Sequence, residues 1–365
     1  MIGYPVRKSA TPMSAKIMLA LTSMICAAAL SGCFAAGKAG SQVPPEEVYV
    51  TKQQLEAPYA IAAGDGYIWF SEYQNNVIVR FAPDGRMKRF RLSGDGFPER
   101  LTAGPGGAVW FTDPEANRIG RLSPDGKLKF YAVPTPNSGA DGITAGPGGT
   151  IWFTEHAADR IGVISAGKVI EYTLPNGGGP AEIIAGRGGS LWFSEDRAGR
   201  IGKISKIGIV REYRIPTPNS RPGGLAAGRN NTIWFTELAA GKIGRIDSHG
   251  KMRQFDLPVS GVPLGIARGP NGDIWVTFGK AHAFCTVSPD GKVTTLVAGA
   301  ETYPGFIVMG PENALWFTEP NGRIGRLTPP KSLAEFALPS PDNGNARAEA
   351  VHSELSAVVR SEQHL

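Results

Sequence analysis

Short runs of apolar or alternating residues recur along most of the chain, separated by turns rich in glycine and proline. The clearest copy, within residues 141–175, has runs at Gly142–Ala145, Thr150–Thr154, Arg160–Ser165 and Lys168–Leu174. Runs of this length bounded by turn residues are typical of β-strands joined by hairpins. Helical repeats are excluded because glycine or proline interrupts every window and no helical spacing lasts more than one turn.

This copy is one of seven. Its tryptophan returns at intervals of 40–42 residues. The seven positions are Trp69, Trp110, Trp152, Trp192, Trp234, Trp275 and Trp316. Four antiparallel strands in about 41 residues is the repeat of a propeller blade. The sequence therefore predicts an all-β fold over residues 47–341, a seven-bladed β-propeller of four-stranded antiparallel blades. Val48–Leu55 and Lys331–Leu338 are both predicted outer strands, and the pattern leaves open which one completes the seventh blade.

A single long apolar stretch, Ile17 to Gly32, precedes the repeats and follows Lys16. It has the pattern of a signal peptide covering residues 1–32 and is shorter than the roughly 20 residues of a membrane-spanning helix. Leu30-Ser31-Gly32-Cys33 resembles the lipobox of bacterial lipoproteins, whose cysteine is lipidated. The alternative is an ordinary secretory cleavage site beside a chance cysteine.

The lipobox reading implies a location outside the cytoplasm, with the chain lipid-anchored to a bacterial membrane. In a Gram-negative cell this would be the periplasmic face of the outer membrane. Residues 33–46 are a predicted flexible tether. Residues 342–365 form a tail that is either a short amphipathic helix or a frayed end.

Composition supports this organisation. The 48 glycines and 29 prolines supply the repeated turns, and Cys285 is predicted to be a small core residue rather than a disulfide partner. The chain has 38 basic and 32 acidic residues without a basic run, so nucleic acid is not an expected partner. A monomer is expected.

The seven copies differ most where their innermost strands begin, which is the axial mouth of a propeller. Three carboxylates, two guanidiniums and two phenols fall there and could bind a polar ligand or a divalent cation. The alternative is that they are ordinary solvated loop residues. These candidate ligand-binding residues are Tyr59, Glu99, Arg100, Asp141, Glu182, Arg221 and Tyr303.

An acid follows the Trp-Phe-Thr/Ser motif in six copies, and in five of them a base follows four or five residues later. The acids are Glu72, Asp113, Glu155, Glu195, Glu237 and Glu319, and the bases are Arg118, Arg160, Arg200, Lys242 and Arg323. We expect a partly exposed cross-strand ion pair in each of these five copies. Glu72 faces Val77 and is expected to remain free for other work.

The sixth copy lacks both charges, with Phe278 and Ala283 in their places, and is either a specialised contact surface or a drifted repeat. The histidines give little catalytic signal. His156 and His249 are predicted in outer turns and His282 in a hairpin.

The repeated motifs closely resemble the virginiamycin B lyase family over residues 57–340. They are Ile-Thr-Ala-Gly-Pro-Gly-Gly-Thr-Ile-Trp-Phe-Thr-Glu (143–155), Ile-Gly-Arg (119–121, 243–245, 324–326), Glu-Tyr-Thr-Leu-Pro (171–175) and Pro-Thr-Pro-Asn-Ser (134–138, 216–220). The resemblance implies a seven-bladed propeller. It also implies a carbon–oxygen lyase that opens cyclic streptogramin B antibiotics with Mg²⁺ and a general base at the mouth of the late blades.

The chain departs from the family pattern at the catalytic positions. The family's two histidines follow proline at the start of the sixth and seventh innermost strands, where this chain has Leu264 and Gly305. Of the family's acids, the one before the second motif falls on Tyr303 and the late-blade one on Pro320, whereas Tyr59 matches a tyrosine of the cleft.

The resemblance therefore implies the propeller without its imidazole base. We expect a protein that binds a small molecule or an envelope partner at its mouth, with the streptogramin lyase activity lost. The alternative is an enzyme acting on a cyclic ester or sugar-like substrate with a carboxylate or tyrosine base and a divalent metal. The candidate metal ligands are Glu99, Asp141 and Glu319.

Overall fold

The computed structural model describes residues 58–94 and 96–329, and the backbone of 332–337. These residues form seven four-stranded antiparallel sheets, which confirms the predicted seven-bladed propeller. The strands are β1 (Pro58–Gly64), β2 (Tyr67–Glu72), β3 (Val77–Phe81) and β4 (Met87–Arg91) in blade 1; β5 (Leu101–Ala103), β6 (Val109–Asp113), β7 (Arg118–Leu122) and β8 (Leu128–Ala132) in blade 2; β9 (Ala140–Ala145), β10 (Ile151–Glu155), β11 (Arg160–Ser165) and β12 (Lys168–Thr173) in blade 3; β13 (Pro180–Ala185), β14 (Leu191–Glu195), β15 (Arg200–Ile204) and β16 (Val210–Arg214) in blade 4; β17 (Pro222–Ala227), β18 (Ile233–Glu237), β19 (Lys242–Ile246) and β20 (Met252–Asp256) in blade 5; β21 (Ile266–Arg268), β22 (Ile274–Phe278), β23 (Ala283–Val287) and β24 (Val293–Val297) in blade 6; β25 (Ile307–Met309), β26 (Leu315–Glu319), β27 (Arg323–Thr328) and β28 (Ser332–Ala337) in blade 7.

Each blade is one continuous segment of chain, and the ring closes between blades 7 and 1. The outer strand of blade 7 is Ser332–Ala337, which pairs with β27. Val48–Leu55, the other candidate for this strand, lies outside the described residues, as do the signal segment, the tether and the tail. The Oγ1 of Thr318 donates a 3.0 Å hydrogen bond to the carbonyl of Tyr59 across the closure. No helix among the described residues is long and apolar enough to cross a membrane.

In blades 2 and 3 the Gly-Pro-Gly-Gly sequence between the first two strands makes the tight turn that its composition predicts. In blade 3 the turn is a single 3-10 turn, Pro147–Gly149, in which Gly148 has a φ of 69°. Glycine adopts this left-handed conformation without the steric penalty of a Cβ atom. The tryptophan that follows the turn packs into the core, and the Trp152 ring is stacked on Tyr172 of the outer strand at 5.9 Å between centroids.

The core of five blades depends on a phenylalanine that fills the space above a glycine. In blade 4, Phe193 of β14 lies directly opposite Gly202 of β15. A Cβ atom built on Gly202 would stand 2.1 Å from Cζ of Phe193. The glycine of the Ile-Gly-Arg motif is therefore a packing requirement. The equivalent pairs are Phe111–Gly120, Phe153–Gly162, Phe235–Gly244 and Phe317–Gly325.

In blade 6 apolar residues replace both the phenylalanine–glycine pair and the acid–base pair, and their sizes compensate one another. Val276 stands where the phenylalanine would be, and Cys285 takes the place of the facing glycine, so the smaller side chain on one strand makes room on the other. Phe278 and Ala283 replace the acid and the base, and all four residues are at most 2% exposed. The interior of the blade is therefore packed with apolar residues, and Cys285 is the small core residue that the pattern predicts.

The acid after the Trp-Phe-Thr/Ser motif is buried in all six blades that carry it, so the prediction of partly exposed ion pairs is wrong on exposure. The pairing itself is confirmed in three blades. Arg118 lies 2.7 Å from Asp113, Arg200 lies 2.6 Å from Glu195 and Arg323 lies 3.1 Å from Glu319. The hydrogen bond from the backbone N–H of Phe97 to Asp113, at 3.0 Å, shows that the buried acid also holds the loop between blades.

Two other acids, Glu237 and Glu72, have partners that differ from the predicted ones, because long side chains also reach the fourth strand of the blade or extend from it. Lys242 pairs with Asp256 at 3.0 Å instead of with Glu237, which accepts a hydrogen bond from Gln254 at 2.7 Å. Glu72, predicted to be free, is paired with Arg89 of its own outer strand.

In blade 3 the predicted pair is also rearranged. Arg160 turns to Glu171 of the outer strand at 3.5 Å. No hydrogen bond from a described residue reaches the carboxyl oxygens of Glu155. Burial, followed by the nearby Glu171 carboxylate, raises the pKa of Glu155 to about 8 against the opposing effect of Arg160. The carboxyl group is therefore mostly protonated at neutral pH.

We expect Gly202→Ala to lower the free energy of unfolding by about 1–3 kcal/mol, because the added methyl group overpacks the Phe193 contact. Gly299→Ala is the matched control, since the nearest atom to its Cβ would be Oγ1 of Thr302 at 3.9 Å. Denaturant unfolding of both variants measures the effect. Equal losses of stability in the two variants would contradict the packing role of Gly202.

Candidate functional site at the axial mouth

The strand register places the predicted site residues at one end of the ring. In four blades the innermost strand begins opposite the buried acid that ends the second strand, as in the pairs Pro58–Glu72 and Pro180–Glu195. The strand pairing is then interrupted. It resumes three residues later on the innermost strand and two residues earlier in sequence on the second strand. The residues inside this bulge include Tyr59, Asp141 and Glu182. Bulges interrupt pairing and redirect side chains, so these residues face the mouth instead of continuing the sheet.

The hydroxyl of the Trp-Phe-Thr/Ser motif holds the bulge in place. Thr154 accepts a 2.9 Å hydrogen bond from the N–H of Gly142 in its own blade and donates one of 2.6 Å to the carbonyl of Ala181 in the next. Ser194 accepts a 3.1 Å hydrogen bond from the N–H of Glu182 in the same way. Each mouth residue is thus anchored through its backbone.

Arg100 organises the charged side of the mouth. Its Nε lies 3.1 Å from Oδ1 of Asp141 in the neighbouring blade. The guanidinium also covers the rings of Phe306, at 4.3 Å from the centroid, and Tyr59, at 5.7 Å. Tyr59 and Phe306 meet edge to face at 5.2 Å. The Arg100 group, meaning Arg100 with Tyr59, Asp141 and Phe306, joins blades 7, 1, 2 and 3 across the mouth.

Two further carboxyl groups, on Glu99 and Glu182, face the Arg100 group. Burial, followed by repulsion from Asp141, raises the pKa of Glu99 to about 7, although Arg100 and His156 act in the opposite direction. The pKa of Glu182 is raised mainly by burial and is lowered in part by Arg100. Glu99 therefore keeps its proton to a higher pH than an ordinary glutamate does.

The phenol of Tyr59 is not suited to proton transfer at neutral pH. Burial raises its pKa to about 12, and the attraction of Arg100 only partly offsets this. Asp141, for its part, is engaged by Arg100. Burial raises the pKa of both Glu99 and Glu182, and that of Glu99 reaches about 7.

A histidine that the sequence interpretation placed in an outer turn lies in fact at the mouth. His156 follows Glu155 at the mouth end of blade 3, and its Nε2 is 3.0 Å from Oδ1 of Asp196 in blade 4. The hydrogen bond to Asp196 is the main cause of the raised pKa of His156, and burial acts against it. Arg221, a predicted site residue, is 3.7 Å from the other oxygen of Asp196.

His156 and Asp196 occupy the same position in successive copies, directly after the buried acid. This position reads Tyr73, Pro114, His156, Asp196, Leu238, Gly279 and Pro320 along the chain. This position varies among the seven copies as strongly as the positions from which the mouth residues were predicted. A comparison of the residue after each buried acid would therefore have identified His156 and Asp196 as further mouth residues.

Tyr303 lies apart from the Arg100 group. Its ring is 37% exposed and meets the His282 ring edge to face at 4.4 Å. His282 lies in the β22–β23 hairpin, as predicted, and its Nδ1 is 2.9 Å from the carbonyl of Thr302. The predicted set thus divides into the Arg100 group with Glu99 and Glu182, Arg221 beside His156, and Tyr303 beside His282.

The predicted metal ligands do not fit a Mg²⁺ site. Glu319 of blade 7 is fully buried and binds Arg323 and the N–H of Tyr303, whereas Asp141 of blade 3 is paired with Arg100 of the adjacent blade 2. A guanidinium beside these oxygens would repel a divalent cation. Within residues 58–94 and 96–329 no three His, Cys, Asp or Glu side chains are grouped to hold a metal ion.

The fold and its mouth define a seven-bladed propeller with a polar axial site. The Virginiamycin B lyase family model matches residues 44–262 and 250–347, and the chain belongs to this family. No curated protein matches the chain significantly.

Solved structures agree with this assignment. A streptogramin B lyase structure is 34% identical, with a TM-score of 0.72 over 78% of this chain and 96% of that one. A catalytically inactive variant of virginiamycin B lyase from Staphylococcus aureus, with quinupristin, is 35% identical, with a TM-score of 0.72 over 77% of this chain and 97% of that one. Hydrazine synthase from Kuenenia stuttgartiensis, at 13% identity and a TM-score of 0.61 over 80% of this chain and 99% of that one, shares the fold alone.

We expect Asp141→Asn to lower the pKa of Glu99 below its value of about 7. The substitution removes the repulsion that raises this pKa and leaves the Arg100 charge unpaired beside Glu99. Carboxyl ¹³C NMR titration of Glu99 measures the shift. Asp125→Asn, in an exposed turn of the same blade as Glu99, is the control and should leave the titration unchanged. An unchanged or higher pKa in Asp141→Asn would contradict the proposed coupling.

Proposed function

We propose that this chain is an extracytoplasmic member of the family that binds a small molecule or partner protein at its mouth and does not open streptogramins. The observation that carries the proposal is the identity of Leu264 and Gly305 at the two positions where the resemblance places catalytic histidines. Neither side chain can take a proton. An imidazole base typically contributes about 10²–10⁴-fold to the rate of proton transfer.

The backbone at both positions is held as in the other blades, so the loss concerns the side chains. The N–H of Leu264 donates a 2.9 Å hydrogen bond to the carbonyl of Thr277, and that of Gly305 donates one of 2.7 Å to the carbonyl of Thr318. A Cβ atom on Gly305 would lie 2.9 Å from both the carbonyl oxygen and Oγ1 of Thr318. A histidine would enter position 305 only if the backbone moved.

The mouth has two chemically different sides, which supports a ligand with both polar and apolar parts. Blades 2 to 5 contribute Arg100, Glu182 and the His156–Asp196 pair. Blade 6 contributes Leu264 in their place, and blade 7 contributes Phe306, whose ring packs against the Arg100 guanidinium at 4.3 Å. Ligand pockets combine an apolar lining with a few polar groups that fix orientation. A ring-shaped or sugar-like molecule with one polar edge matches this arrangement.

A second candidate function is supported by Glu99. A carboxyl group with a pKa of about 7 near an Arg–Asp pair can act as a general acid or base at neutral pH. The chain would then be a lyase or another enzyme acting on a cyclic ester or sugar-like substrate. Glu99 would be its proton-transfer group.

With Mg²⁺ and virginiamycin B, the full chain is expected to leave the antibiotic ring intact. Mass spectrometry of the antibiotic measures this, with the Staphylococcus aureus virginiamycin B lyase as the positive control. Linearisation at a rate near that of the control would overturn the proposal.

Binding at the mouth can be tested by comparing how a ligand changes the thermal stability of two variants. A ligand found by thermal shift stabilises the native protein by mass action. Its effect should be lost in Asp141→Asn, which frees Arg100, and kept in Asp125→Asn. A ligand that stabilises both variants equally would place binding elsewhere.

We also propose that the chain is lipid-anchored through Cys33, on the basis of the Leu-Ser-Gly-Cys motif at residues 30–33. Palmitate labelling of the expressed chain should be abolished by Cys33→Ser and retained by Cys26→Ser, which changes a cysteine inside the apolar stretch. Labelling that survives Cys33→Ser would refute the anchor.

A further inference from the structure

Two adjoining grooves lie on the back face, the end of the ring opposite the mouth. One, of about 200 Å³, lies between blades 4 and 5 and includes Arg187, Lys203 and Arg268 in its lining. The other, of about 470 Å³, lies between blades 5 and 6. Its cationic lining residues are Arg229, Arg245, Lys251 and Arg253. Thr232 lines both, so the two grooves adjoin at this residue, and together we call them the back-face depression.

The depression has almost no negative charge of its own. Asp247 is the single acid that lines it, and its carboxylate is occupied by backbone N–H groups of His249 at 2.9 Å and Lys251 at 3.0 Å. None of the seven cationic side chains forms an ion pair with a described residue. The arginines of the mouth differ, since Arg100, Arg197, Arg200 and Arg221 are each paired with a carboxylate.

The strand register places like charges directly opposite one another beside these grooves. Arg245 of β19 faces Arg253 of β20, and Lys203 of β15 faces Arg211 of β16. Like charges at directly opposed positions destabilise a sheet. An anion bound between them would remove this repulsion.

Two of the guanidinium groups, those of Arg245 and Arg229, are held in place before any ligand arrives. Arg245 donates a 2.8 Å hydrogen bond to the carbonyl of Pro289 and covers the Trp234 ring at 5.3 Å from its centroid. Arg229 donates to the carbonyl of Asn271 across the groove. Each guanidinium has five N–H donors, so most remain available. Ordered donors lose less conformational entropy when they bind.

We propose that the back-face depression across blades 4, 5 and 6 is a binding site for a small, multiply charged anion bearing phosphate or carboxylate groups. Guanidinium groups match both anions through paired N–H donors. The volume of the larger groove lies within the range of small-molecule sites. Because the depression is recessed, it fits a soluble oligoanion better than a flat lipid surface. The site is separate from the mouth and does not depend on the function proposed there.

Isothermal titration of the full chain with sodium tripolyphosphate and with citrate, at low ionic strength, tests the proposal. We expect saturable binding of at least one of them. The double variant Arg245→Gln with Arg253→Gln should weaken it at least tenfold. The matched control is Arg121→Gln with Lys129→Gln, an opposed pair at the same repeat position in blade 2. That control should change the affinity less than twofold, and far-UV circular dichroism should show all variants folded.

Three outcomes would overturn the site. The first is no binding of either anion, and the second is equal weakening in both double variants, which would indicate diffuse surface charge. The third is binding to phosphatidylglycerol vesicles but not to the soluble anions, which would make the back face a membrane-contact surface. Loss or gain of a mouth ligand would leave these results unaffected, so the two proposals are tested separately.

Discussion

The structure depends on a hydroxyl group that bridges neighbouring blades near the ring axis. Thr154 and Thr277 each accept a hydrogen bond from an N–H of their own innermost strand and donate to a carbonyl of the next blade. Thr318 completes the circle by donating to Tyr59. A buried carbonyl without such a partner would cost about 1–3 kcal/mol, so the hydroxyl joins ring closure to the position of the mouth residues. Thr154, Thr277 and Thr318 each link their blade to the next one in this way, whereas Oγ1 of Thr236 in blade 5 has no hydrogen-bond partner among the described residues.

Burying one carboxylate per blade is expensive, and blade 6 shows that the fold does not need it. Replacing buried ion pairs with well-packed apolar groups is often neutral or stabilising. Phe278 and Ala283 achieve this without any change in strand pairing. The remaining acids have a different use, since Asp113 and Glu319 accept hydrogen bonds from the N–H groups of Phe97 and Tyr303 in the loops that lead to the mouth. The polar network therefore positions loops as well as joining strands.

The fold was predictable from the sequence because the tryptophan interval and the strand pattern are set by backbone geometry. The mouth was predictable in part, since Tyr59, Arg100 and Asp141 stand where the repeats diverge, and these residues do meet. The side-chain pairings were less predictable. Cross-strand register places Glu155 opposite Arg160, yet a long guanidinium can reach Glu171 on the next strand. The spacing of residues in the sequence does not show which strand a long side chain will contact. It also does not show the contact between His156 and Asp196, which lie in two different blades.

The two faces of the ring differ in charge for a reason that lies in the repeat itself. At the mouth, the end of the second strand meets the start of the third, and the repeat places an acid opposite a base. At the back, the end of the third strand meets the start of the fourth, and blades 1, 2, 4 and 5 place two cations opposite each other. These cations are about eight residues apart in sequence, so no basic run marks them. The fold alone concentrates them, and where blades 4, 5 and 6 meet it does so beside two open grooves. Repulsion between like charges is common to four blades, and at this depression there is also space for an anion.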